Sequence, residues 1–268
     1  MTALSDALQK SRADGRAALI GYLPVGFPSV EASIDAMRAM VAGGVDIVEV
    51  GMPYSDPVMD GPTIQQAAEQ ALRNRVGLRD ALSAVSAVAE AGAAAVVMSY
   101  WNPIDRYGVD RFAADLAAAN GSGAITPDLI PDEAAPWLAA TDAHALDRIF
   151  LVAPSSTDAR VVSTAAASRG FVYAASTMGV TGTRTAVSGS AQALVGRVRT
   201  LAPDIPVCVG LGVSDGDQAA EVAAFADGVI VGSAFVRRLL DSPDAAGIAA
   251  VRELAADLAA GVRRQLRG

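Results

Sequence analysis

Short apolar or β-branched runs recur along the chain, each followed by Gly, Pro, Ser, Asn or Asp and then by an Ala-rich stretch with apolar residues every three to four positions. The short runs predict buried strands and the longer stretches amphipathic helices. Strands are predicted over Ala18–Leu23, Asp46–Val50, Ala94–Ser99, Ser122–Thr126, Arg148–Val152, Phe171–Ser176, Pro206–Leu211 and Gly228–Gly232. Between and after them, helical patterns cover Ser29–Gly43, Thr63–Arg73, Leu78–Ala91, Val109–Ala119, Asp158–Arg169, Ala191–Leu201, Asp215–Ala224 and Asp244–Leu266. Parallel strands need crossover helices, so about eight strand-then-helix units predict one α/β domain, a single (β/α)8 barrel spanning residues 1–268. A doubly wound open sheet is the alternative. It is disfavoured because no Gly-x-Gly-x-x-Gly follows the first strand and because the polar candidates sit after several different strands.

The run from Asp46 to Pro62 departs most from a plain core pattern. Strand alternation puts Ile47 and Glu49 on one face and Val48 and Val50 on the other, so Glu49 points into a core or a pocket mouth. An ionised carboxylate there is costly unless it is paired or has a task. Asp60, in the long Gly/Pro-rich loop that follows, can fold back toward the same strand end. Two carboxylates facing one cavity point to acid/base chemistry.

Small-residue clusters follow the last three strands, at Met178–Gly182, Gly210–Ser214 and Val231–Ala234, where backbone N–H groups can approach a ligand. Gly232 and Ser233 are predicted to open a short helix containing Ala234 and Phe235, whose free N–H groups and positive dipole end suit a phosphate monoester. The loops after strands seven and eight are also the usual phosphate position in such barrels. The segment Ser176–Ser190 is long and polar and is expected to be a mobile lid. Tyr173 precedes it as a half-buried phenol.

Composition narrows the function classes. With 268 residues and 52% hydrophobic positions the chain can bury a sizeable core. A formal charge of -8 argues against nucleic-acid or anionic-membrane partners. Cys208 is the only cysteine and His144 the only histidine, which excludes an intrachain disulfide and a Cys/His zinc cluster; no metal site is expected. Cys208 is expected in the core and His144 on the surface. Because the N-terminus has no apolar h-region and nowhere do 18 apolar residues run together, a soluble, cytoplasmic protein is expected.

The chain resembles the tryptophan synthase α-subunit family over essentially its whole length. The resemblance rests on Glu49 to Gln65, Gly179 to Gly182, Gly210 to Ser214 and Gly232 to Ala234, all in the family's order. It implies retro-aldol cleavage of indole-3-glycerol phosphate to indole and glyceraldehyde 3-phosphate, with no cofactor in this chain. It also implies that Glu49 is the general acid/base, that Asp60 binds the indole N–H, and that Tyr173 lies against the substrate beside Glu49. Gly182, Gly212, Gly232, Ser233 and Ala234 would hold the phosphate, and Tyr22, Ile64, Tyr100, Ile125, Leu151 and Leu211 would line the indole end. The family docks onto a β subunit that carries pyridoxal phosphate, in an α2β2 assembly; the resemblance puts Pro53, Asp56, Asn102, Pro103 and Pro131 near that contact.

The chain departs from the commoner family pattern at Thr177-Met178, where many members have Arg, at Leu211, where many have Phe, and around Asp128, where an extra residue stands. Two other readings fit parts of the pattern. One is a different phosphate-binding barrel enzyme, such as a sugar-phosphate isomerase, which the glycines would serve but which leaves the Glu49/Asp60 pair unexplained. The other is a non-catalytic subunit that only activates a partner, which retention of both carboxylates disfavours.

Overall fold

The structure is a computed structural model that describes residues 1–175 and 184–264, without the side chains of 184–188. Nine parallel segments form one sheet: β1 Ala18–Pro24, β2 Ile47–Gly51, β3 Ala94–Met98, β4 Gly123–Ile125, β5 Asp147–Ile149, β6 Leu151–Val152, β7 Val172–Ala175, β8 Val207–Gly210 and β9 Gly228–Val231. Their order is β5-β4-β3-β2-β1-β9-β8-β7-β6. The two ends of that order are joined in the chain by Phe150 alone, so the sheet closes on itself. The run predicted as one strand over Arg148–Val152 gives its first half to β4 and its second half to β7. Closure turns the nine segments into the eight staves of a (β/α)8 barrel and overturns the open-sheet alternative.

Strand alternation divides the apolar residues into two layers. Ile20, Ile47, Val96, Ile125, Ile149, Phe171, Cys208 and Ile230 fill the barrel interior, whereas Leu19, Val48, Val50, Val97 and Val209 pack outward against the helices. The helix Ala3–Ala13, capped by the Thr2 hydroxyl accepting from Ser5 N–H, adds Leu4 and Leu8 to the inner layer. It closes the N-terminal end of the barrel. There the Thr2 hydroxyl also donates to the buried Asp147 carboxylate at the start of β5. Arg16 clamps Asp46 in a two-pronged ion pair (2.7 and 2.9 Å), and Asp46 in turn accepts from Leu19 N–H (2.8 Å). The buried charges at this end are thus paired, as burial requires.

Most predicted helices lie within a few residues of their expected positions: Val30–Gly43, Pro62–Arg73, Leu78–Glu90, Val109–Ala118, Asp158–Ala167, Gly216–Ala223 and Ala245–Arg264. Beyond the N-terminal helix Ala3–Ala13, two helices have no counterpart in the sequence reading, Trp101–Tyr107 and Ala135–Ala143. Each is short and has a proline in its first turn, where the missing N–H costs nothing but the sequence looks like a loop. The helix expected over Ala191–Leu201 instead spans Arg184–Leu201. The lid reading of Ser176–Ser190 is corrected accordingly: its second half is helical backbone, and residues 176–183, with Gly182 and the Thr177-Met178 departure, lie outside the described residues. Cys208 is fully buried and His144 exposed, as expected.

Candidate active site

A cavity of about 450 Å³ opens at the C-terminal ends of the strands, the face on which barrels of this kind build their sites. Glu49 lines it from β2. Its inward direction follows from strand alternation with Ile47, and it is 1% exposed, with Oε1 buried and no hydrogen-bond partner. Burial pushes its carboxyl up to about 8, because removing water penalises the charged form. Asp60 lines the same cavity from the loop after β2, and burial pushes it up to about 6. The helix Pro62–Arg73 begins two residues beyond Asp60, and its Gln65 side chain holds the Asp60 carbonyl (2.8 Å). The positive end of that helix favours charge on a nearby carboxylate. At neutral pH the pair is therefore split: Glu49 carries a proton and Asp60 is ionised.

Two phenols flank the carboxylates. Tyr22 on β1 is in register with Glu49, and Tyr173 on β7 with Leu151 and Cys208. Both rings lie across a neighbouring strand at a glycine. A Cβ at Gly51 would come within 2.5 Å of the Tyr22 hydroxyl, and one at Gly210 within 2.5 Å of the Tyr173 hydroxyl. Glycine at these two places is a packing necessity. Burial raises both phenols well above the usual value; Asp60 is the charge acting most on Tyr22 and Glu49 the one acting most on Tyr173.

On the side opposite Glu49's strand, Gly210, Gly212, Gly232 and Ser233 line the cavity. Gly212 adopts φ +66°, a conformation that residues with a Cβ rarely take. The helix Ser233–Asp241 starts here, with Gly232 at its N-cap and no side chain capping it. Phe235 and Val236 make the first helical bonds, to Gly232 O (2.9 and 3.1 Å), so Ser233 and Ala234 N–H precede them. These are the orphan donors of a helix N-terminus. Ile64 and Leu151 also line the cavity.

Four residues of the implied substrate set stand outside the lining. Tyr100 is 5% exposed and points into the 52–61 loop: its hydroxyl accepts from Met59 N–H (2.9 Å) and its ring stacks on Tyr54 (centroids 4.9 Å apart). Ile125 packs in the barrel interior below the cavity floor. Leu211 and Ala234 pack against the outer layer. Of the implied partner residues, Asp56 and Asn102 are exposed, Pro103 and Pro131 half-buried, and Pro53 buried. Asp128, at the extra-residue departure, accepts from Trp101 N–H (2.8 Å) and so starts the helix Trp101–Tyr107. The sequence reading missed Met98, Ile230 and Ala153 as lining residues. Met98 and Ile230 were legible, since each continues the inward alternation of its strand (Ala94, Val96, Met98; Gly228, Ile230). Met59 and Pro127 were not, because loop residues obey no period.

Among the described residues no group of three or more His, Cys, Asp or Glu side chains could hold a metal ion, and no helix is long and apolar enough to cross a membrane.

The comparisons with known proteins agree on one family. The family model described as "Tryptophan synthase alpha chain" matches residues 8–263. A tryptophan synthase alpha chain of Thermobifida fusca is 63% identical over 270 residues, covering 100% of both chains. That of Mycobacterium marinum is 62% identical over 262 residues, covering 98% of this chain and 95% of the relative. Among solved structures, a tryptophan synthase of Mycobacterium tuberculosis superposes with a TM-score of 0.91 at 60% identity, covering 98% of each chain. Tryptophan synthase subunit alpha of Legionella pneumophila gives 0.89 at 28% identity over 98% of this chain and 99% of that one. With a closed barrel, paired carboxylates at its C-terminal mouth and relatives that match from end to end, this chain belongs to the tryptophan synthase alpha chain family.

Proposed function

We propose that the chain is the lyase subunit of a tryptophan synthase and cleaves indole-3-glycerol phosphate to indole and glyceraldehyde 3-phosphate. The observation that carries this reading is the split between Glu49 and Asp60. Cleavage requires a proton on indole C3, which only an acid protonated at neutral pH can deliver. Glu49, pushed up to about 8 by burial, is such an acid. Protonation leaves positive charge on the indole nitrogen, and Asp60, ionised above about 6, stabilises it. The Glu49 carboxylate so formed takes the proton of the adjacent side-chain hydroxyl. The carbon–carbon bond breaks, its electron pair returns to the indole ring, and an aldehyde forms. Glu49 ends protonated, ready for another cycle.

Tyr173 packs against the reacting carbon beside Glu49, while Tyr22, Ile64 and Leu151 hold the ring. Gly212, Gly232 and the N–H groups of Ser233 and Ala234 bind the phosphate, with Gly182 as a further contact. This chemistry calls for no cofactor in this chain.

The partner is a pyridoxal-phosphate β subunit, in an α2β2 assembly that receives the indole. Three of the five large apolar side chains exposed among the described residues, Val58, Met59 and Ile130, sit beside Asp56, Pro131 and the helix bearing Asn102 and Pro103 on the cavity face. An exposed apolar cluster at the mouth of a site fits a docking surface. Pro53, buried in this chain, acts there by shaping the loop. The test is indole release from indole-3-glycerol phosphate, with and without a pyridoxal-phosphate partner. Release that rises with partner is the expected result, and no release in either condition would overturn the reading.

A further inference from the structure

The Tyr22 hydroxyl is a polar group at the cavity wall with no use yet assigned. Tyr22 is 7% exposed, its ring lines the cavity, and its hydroxyl makes no hydrogen bond among the described residues. A hydroxyl so placed can take a partner when the cavity fills. The place it occupies is informative. Gly51 and Glu49 share the inward face of β2, and the hydroxyl fills the space where a Gly51 side chain would stand. It thus lies one inward position beyond Glu49, at the root of the loop that carries Asp60. Its ring edge rests near Gly232 on the other side, since a Cβ there would meet Cδ1 at 3.2 Å.

We propose that Tyr22 is a positioning residue: in the occupied site its hydroxyl donates to the Asp60 carboxylate, fixing that group and holding it ionised. The inference rests on the lyase reading and assigns to the hydroxyl a task that ring packing does not supply. The direction of donation follows from the protonation states. Asp60 can only accept when ionised, Glu49 at neutral pH holds its own proton, and burial keeps the phenol protonated. One other hydroxyl, that of Tyr100, also faces Asp60, from the side of its loop. Tyr173 on β7 responds first to Glu49, whereas Tyr100 beyond β3, whose hydroxyl accepts from Met59 N–H, feels Asp60 before Asp128 and stays unchanged in the Tyr22 variants, so their shift reports Tyr22 alone. Arg237 reaches Thr63 (2.9 Å) on the helix that follows Asp60, and Asp56 is engaged by Ser55.

Hydrogen bonding to the charged form lowers a carboxylate's pKa, so losing the donor raises it. The assembled enzyme is assayed for kcat and kcat/KM against pH, for wild type, Tyr22→Phe and Tyr22→Leu. With Tyr22→Phe the acid limb of kcat, which reports the occupied site, moves up by roughly one pH unit. The acid limb of kcat/KM, which reports the free enzyme, stays in place. Packing alone would leave Tyr22→Phe like wild type and penalise only Tyr22→Leu, and that outcome overturns the proposal. Site-specific 2,3-difluorotyrosine at position 22, a stronger donor of the same shape, moves the kcat limb down; an unchanged limb counts against the idea equally.

Failure of the lyase reading is separable. The carboxyl 13C signal of Asp60, assigned with Asp60→Asn, can be titrated in the presence of indole and inorganic phosphate. It requires no turnover, and a titration midpoint equal in wild type and Tyr22→Phe overturns the proposal whatever reaction the chain performs.

Discussion

Replacing Glu49 with Gln tests both the chemistry and the energetics of the buried acid. Folding moves this carboxyl from an ordinary 4.5 up to about 8. At about 1.4 kcal/mol per tenfold change in acidity, that corresponds to roughly 5 kcal/mol between its two protonation states. The cost falls on the charged form. Because the folded value is raised, the neutral acid's stability is fully present below 4.5 and is lost as pH climbs toward 8; above that the native state carries the whole burden of a buried charge. Glutamine keeps the shape and cannot ionise. Its unsatisfied amide has its own cost, which is the same at every pH and cancels when two pH values are compared.

The melting temperature of Glu49→Gln relative to wild type should therefore be higher at pH 9 than at pH 5. Ionisation of the unfolded carboxyl has already cost wild type about 1 kcal/mol at pH 5, so about 4 kcal/mol separates the two pH values, and at roughly 2 °C for each in a chain of this length the relative gain approaches about 8 °C if water stays out of the cavity and is smaller if it enters. Differential scanning calorimetry of both proteins at the two pH values makes the measurement. A melting difference that does not change with pH would refute the buried-acid reasoning. The same variant should lose lyase rate by ~10²–10⁴, the usual worth of a general acid/base group. Near wild-type turnover would refute the assignment independently.

Asp60→Asn should abolish most activity and weaken substrate binding more than Glu49→Gln does, because the charge-assisted bond to the indole N–H is worth roughly 1.5–3 kcal/mol in the ground state; calorimetric affinities equal in the two variants would remove that role. Gly232→Val should weaken binding of inorganic phosphate or glycerol phosphate, since its side chain enters the space between Tyr22 and the helix N-terminus; Gly212→Val adds backbone strain at φ +66°. Equal protection of wild type and variants in thermal melts would place the anion elsewhere. Tyr100→Phe removes the acceptor of Met59 N–H, and at about 1 kcal/mol for such a bond kcat/KM should fall roughly fivefold through loosening of the Asp60 loop. An unchanged kcat/KM would show that Tyr100 does not hold that loop in the working state.

The periodicities of the chain determined the strands, most of the helices and the direction of Glu49. Face and alternation are local properties, set by the backbone within a few residues of each position. The glycine clusters after the late strands were legible for a similar reason, because small residues at strand ends already mark where backbone can approach a ligand. Tertiary structure alone decided the rest. Tyr22 and Tyr173 reach across Gly51 and Gly210 only because parallel register pairs them with Glu49 and Cys208, one inward position before each glycine, and no pattern within either strand contains that fact. Tyr100 stands two residues past the end of β3, beyond the alternation that would have given its direction, so it turned to the loop backbone rather than the cavity. The division of Arg148–Val152 between two neighbours follows from the need to close a ring. The opposite protonation states of Glu49 and Asp60 depend on how much water each loses when the strand ends and the loop after β2 come together, a quantity that exists only in the folded barrel.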